Sequence, residues 1–178
     1  MKILALALSV GLSALPAHAA TIITGDNLDK LEALLPQLMQ LEAPDSKALQ
    51  QAEFQQHCDW QRHYTDFKAK ETDTAYLTKA EQLISKQGFT PAQFLELSAK
   101  TSWPMLDATM PVLEISRQTL PLLPAEQRKA VEASLKQGQQ YHQVIGSCLS
   151  SEDKTALEKY KERISQMASG LAGFEQSR

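Results

Sequence analysis

No stretch of this chain alternates apolar and polar residues over the length of a strand, which argues against a sheet-based fold. Glycine is sparse, and neither a Gly-x-Ser-x-Gly elbow nor a phosphate-cradling glycine loop occurs, so nothing points to the hydrolase and nucleotide-binding classes that need them. There is no Cys-x-x-Cys, no Cys-x-x-Cys-His and no His-Glu-x-x-His, the spacings expected of redox, haem-attachment and zinc-enzyme sites. Charges of both signs are interspersed. The basic stripe of a nucleic-acid binder is missing, as is the Lys/Arg-rich amphipathic segment that holds a protein on an anionic membrane.

What is present begins with MKILALALSVGLSALPAHAA. Lys2 supplies a positive start, Ile3 to Leu15 an apolar run, and Ala17-His18-Ala19 a small-x-small cleavage site after Pro16. The run is shorter than the roughly 20 apolar residues a membrane span needs. The expectation is a cleaved secretory signal over 1–19, a periplasmic or secreted protein with no stable membrane insertion, and a single all-helical domain over 20–178. Without Lys2 the mature chain carries 17 basic residues against 21 acidic ones, a net charge of −4.

Helical periodicity runs through nearly every segment. Leu28, Leu31, Leu34, Leu35, Leu38 and Leu41 recur at helical spacing after Asp26, a candidate N-cap, with Pro36 as a kink. A second helix is expected over roughly 46–70, and a third from Asp73 with Tyr76, Leu77, Ala80, Leu83 and Ile84 on one face. Gly88 stands at the left-handed cap position of that third helix. Thr90-Pro91-Ala92-Gln93 has the form of a capping box with proline at the first helical position. Prolines 104, 111, 121 and 124 predict short or kinked helices, followed by a longer one from Pro124 to about Ile145. A last helix begins near Ser150 and Asp153, with Leu157, Tyr160, Ile164, Met167, Leu171 and Phe174 in a narrow packing stripe. The fold class is therefore all-α, a single bundle of five to seven helices with proline-kinked segments.

Phe89-Thr90-Pro91-Ala92-Gln93 and Leu123-Pro124-Ala125-Glu126-Gln127 are similar to the Leu-Thr-x-x-Gln motifs of small helical periplasmic stress chaperones. Phenylalanine replaces leucine in the first copy and proline replaces threonine in the second. The likeness spans ten residues and is also what a capped helix start looks like, so no role is carried over from that family.

The two cysteines, Cys58 and Cys148, stand 90 positions apart. In an oxidising compartment they should form one disulfide, which by the chain-entropy argument contributes roughly 4–5 kcal/mol. Cys58 lies within QHCDWQRHY. Drawn as a helix, at about 100° per residue, this run puts His57, Cys58, Trp60 and Tyr64 on one half and Asp59 and His63 on the other. His63 is then an exposed partner of Asp59, and His57 faces inward. His142 falls in an apolar stripe with Val131, Leu135, Gly138 and Ile145, and Gly138 leaves room beside it.

With Cys58 bonded to Cys148, His57 and His142 could approach one another; they read first as core histidines satisfied by Tyr64, Tyr141 or backbone carbonyls, and otherwise as a pH-sensitive pair or a metal or haem pair. Trp103, Met105, Met110 and Met167 are candidates for an adaptable apolar groove, against a plainer reading as ordinary core. The functional expectation is a non-catalytic binding or accessory protein with no cofactor, whose partner is another envelope protein or a small apolar ligand, not nucleic acid. The alternative is a metal- or haem-binding bundle using His57 and His142.

Overall fold

The computed structural model describes residues 20–41 and 54–175, the last five of these by backbone only. The expected signal segment, the start of the expected second helix, and the Leu171 and Phe174 side chains lie outside the described residues. Among the described residues there are seven α-helices and no strand. They are α1 (Gly25–Met39), α2 (Trp60–Lys70), α3 (Thr74–Lys86), α4 (Pro91–Thr119), α5 (Ala125–Ser147), α6 (Ser151–Lys159) and α7 (Lys161–Glu175).

Local chemistry sets most of the boundaries. Thr24, not Asp26, caps α1, its hydroxyl accepting from the Asn27 amide, while Asn27 Nδ2 donates to the Ile22 carbonyl. That second bond ties the entering segment to the helix. Asp73 caps α3, which ends as its sequence predicts: Gly88 has φ +79°, and the Phe89 amide reaches back to the Ile84 carbonyl. The Thr90–Gln93 capping box opens α4. Instead of breaking at its prolines, α4 runs for 29 residues with Pro104 and Pro111 inside it. Each proline removes one hydrogen bond, from the carbonyl four residues back, which alone does not end a helix supported by packing. A 3-10 turn, Leu120–Leu122, makes the reversal into α5, and Arg128 Nη2 donates to the carbonyls of Pro121 and Leu123. The expected single terminal helix is divided at Tyr160 into α6 and α7.

The larger core gathers Ile23, Leu28, Leu31 and Leu34 from the N-terminal side with Ile84, Phe89 and Leu97, closed by Leu149, Ala156, Leu157 and Ile164. A smaller core holds Trp60, Ala99 and Ile145, with Phe54, Tyr141 and Cys148 packed on it. Trp103 borders both. Only glycine lets α5 pass here, because a Cβ on Gly146 would lie 2.8 Å from the Trp103 indole nitrogen. The disulfide Cys58–Cys148 is present, with Cα atoms 5.4 Å apart, joining the residue before the N-cap of α2 to the end of α5.

A buried ion pair joins the elements around the larger core. Lys100 Nζ lies 2.8 Å from Asp153 Oδ2 and 2.6 Å from Glu96 Oε1, and Asp153 is 1% exposed. The other oxygen of Asp153 accepts from the Thr21 hydroxyl at 2.6 Å, and Oδ2 also accepts from the Ser150 amide. Burial alone would raise the Asp153 pKa. Hydrogen bonds from Lys100, Thr21 and Ser150 outweigh it and hold the carboxyl below its usual range.

Candidate ligand-binding site

The QHCDWQRHY run does not continue as a helix through His57. Asp59 accepts from the Arg62 amide and caps α2, so the chain before it leaves the helix path and turns back. Positions 57 and 63 would diverge on a regular helix. Here their rings stack with centroids 4.1 Å apart, and His63 Nε2 donates to the His57 carbonyl at 2.9 Å. His63 is accordingly buried, 4% exposed, where the helical reading placed it at the surface. Asp59, expected to pair with it, is taken up by the cap. Phe54 and Trp60 complete an aromatic box around His63, with ring centroids 5.0 and 5.4 Å away. Burial depresses the His63 pKa; the bond to the His57 carbonyl opposes that shift without cancelling it.

His57 and His142 each have a ring partner other than one another. His57 is half-buried and stacks on His63, its Nδ1 accepting from the Asp59 amide and its buried Nε2 unpartnered. His142 stacks on Trp103 instead, 5.7 Å between centroids, and its Nε2 lies 2.8 Å from Asp107 Oδ1. The space beside Gly138 faces Leu113, not a second histidine. The disulfide pins the ends of the two helices as reasoned, but the turn at Asp59 gives His57 a nearer partner. Among the described residues no three His, Cys, Asp or Glu side chains are grouped to hold a metal ion.

Of the expected groove residues, Trp103 and Met167 pack against the larger core, Met110 is half-buried, and Met105 is exposed on α4.

An apolar cavity lies elsewhere, between α2, α3 and the start of α4, and has a volume of about 280 Å³. Its wall is made by Leu38 of α1, Phe54, Phe67 of α2, Leu77, Ala80 and Ile84 of α3, and Phe94 and Leu95 of α4. His63 contributes from the aromatic box, and Asp66, Lys70, Tyr64 and Glu81 supply the polar part. The Tyr64 hydroxyl donates to Glu81, whose same oxygen is 2.6 Å from Lys68 Nζ. Burial, reinforced by that carboxylate, pushes the Tyr64 phenol well above its usual range, while Lys68 and Tyr64 together hold Glu81 low. The α3 stripe that forms one wall is legible in the sequence. Phe67 on α2, on the same aromatic half as Tyr64, completes the opposite wall, and no pattern within either helix reveals the space between them.

Chemically, the cavity offers a mainly hydrocarbon and aromatic surface, with the Tyr64 hydroxyl and the Glu81 carboxylate among its few polar groups. This favours an apolar body and leaves few polar groups to orient a reaction. No family model, curated protein or solved structure matches this chain.

Proposed function

We propose that this chain is a non-catalytic, exported helical binding protein that takes a small apolar ligand into the cavity between α2, α3 and α4. The observation that carries the reading is the cavity itself. A dry apolar space of about 150 Å³ admits benzene, so one of about 280 Å³ suits a ligand of roughly two rings or a short branched chain. Tyr64 and Glu81, with Asp66 and Lys70, would meet a polar end of such a ligand. Export fits the disulfide and the signal-like start of the sequence, and among the described residues no helix is long and apolar enough to cross a membrane.

The test is a titration of the folded, oxidised protein with a naphthalene-sized fluorophore, followed by displacement with unlabelled apolar compounds. Saturable one-site binding is expected. Leu95→Trp, on the cavity wall and half-buried, should weaken it at least tenfold with the helical circular dichroism unchanged. Absence of saturable binding to the wild-type protein, or equal binding to the variant, would refute the proposal.

A further inference from the structure

The distal part of the α4–α5 hairpin is short of a packing layer. Between Ser102 and Ser134 no side chain is fully buried, although α4 and α5 pack against each other along this stretch. Leu106, Met110 and Leu113 of α4 are half-buried on one face of the helix. Among the described residues a second, mostly apolar face is left exposed. Met105, Ala108, Val112, Ile115, Thr119 and Leu122 recur at spacings of three and four, and every one is exposed, from Met105 at 54% to Leu122 at 83%. A helix apolar on two sides satisfies only one of them within a two-helix hairpin.

We infer that this face is the contact surface for a second copy of the same chain, paired antiparallel about a two-fold axis. Three observations choose this occupant. First, the stripe is symmetric end to end. Reversed on itself, Met105 faces Leu122, Ala108 faces Thr119, and Val112 faces Ile115. Large residues thus meet large ones, and small meets small, as an isologous contact requires. Secondly, the flanking positions Thr109, Pro111, Ser116 and Gln118 are uncharged. Self-pairing therefore brings no like charges together, and nothing there encodes a charged foreign partner. The few Lys and Arg on this face also argue against an anionic membrane as the occupant. Thirdly, the size fits a weak, concentration-dependent contact. The stripe extends about 21 Å along α4 from Met105 to Thr119 at 1.5 Å per residue, with Leu122 in the turn beyond. Its four large side chains expose on the order of 400 Å² of apolar surface, about half of the roughly 800 Å² per partner of a standard interface.

The pairing is tested by mass measurement in solution, by light scattering or sedimentation, over about 1–100 µM, where contacts of this size and modest affinity dissociate. Wild-type protein should show the mass of a dimer. Val112→Lys alone and Ile115→Glu alone should each raise the dissociation constant at least a hundredfold, with melting of the exposed-site monomers otherwise unchanged. An equimolar mixture of the two should recover the dimer, because antiparallel pairing places the introduced ammonium opposite the introduced carboxylate. Wild-type protein that stays monomeric throughout, including one whose stripe is taken by some other protein, would overturn the inference. So would single variants that still dimerise, or a mixture that stays monomeric.

Discussion

Replacing Lys100 with methionine keeps the length and helix-forming character of the side chain and removes only its charge and donors. The Asp153 carboxylate is then left 1% exposed with two of its three donors, the Thr21 hydroxyl and the Ser150 amide. Removing one partner of a buried pair costs about 3–5 kcal/mol. The two surviving donors put the expected loss near the lower end, about 3 kcal/mol. Glu96 adds little, because it is partly exposed and water can replace the lost ammonium. For a chain of this size about 3 kcal/mol corresponds to a fall in melting temperature of roughly 6–12 °C. Thermal and urea unfolding, followed by circular dichroism at pH 7, would read it directly.

The pH dependence provides a second, independent check. In the native protein Asp153 titrates below its ordinary range, so its contribution is fully present above about pH 4 and is lost as pH falls through the depressed value. In Lys100→Met the same buried carboxyl should titrate above its unfolded value, so acid relieves the defect instead. The gap between wild type and variant must therefore narrow as pH falls through about 4. A stability change within about 0.5 kcal/mol at pH 7, or a gap that widens in acid, would refute the account of the ion pair.

The buried His63 binds a proton less readily in the folded protein than in the unfolded chain, so stability should decline as pH falls from about 6.5 towards its depressed folded value. His63→Gln, which keeps a donor for the His57 carbonyl, should flatten this decline; equal slopes for variant and wild type in pH-dependent urea titrations would contradict it. Ile164→Asp buries an unpaired carboxylate in the larger core and should cost more than about 3 kcal/mol, whereas exposed Glu162→Ala should change stability by less than about 0.5 kcal/mol. Similar melting temperatures for those two variants would show that the terminal stripe is not packed as described.

The features legible in the sequence are those set by neighbouring residues. The Thr90–Gln93 and Ser150–Asp153 boxes, the Gly88 cap and the stripes of α1, α3 and α7 depend on contacts within a few positions, and each stands where its residues place it. The disulfide followed from cysteine count and compartment. What failed was extrapolating regularity through a cap. One hydrogen bond, from the Arg62 amide to the Asp59 carboxylate, starts α2, and with the chain before it off the helix path His63 is buried against His57. At Pro104 and Pro111 local propensity left short or kinked helices open, and the packing of α4 against α5 accompanies one continuous helix. The candidate cavity was hidden because its walls come from four helices, and no single segment announces a space between them.

The link from Cys58 to Cys148 divides the chain into a closed ring and two free arms. α1 lies on one arm and α6 and α7 on the other, yet the arms meet over the ring. Leu28, Leu31 and Leu34 share a core with Leu157 and Ile164, and Arg163 reaches across to Asp29 and Glu32. Tension applied between the two ends would load this clasp first, while the ring could not pay out its length. With 90 positions between the cysteines, at about 3.4 Å per residue, roughly 300 Å of chain stays locked away from the pulling axis. A force–extension trace of the oxidised protein should therefore be short, and reduction of the one crosslink should add that missing length.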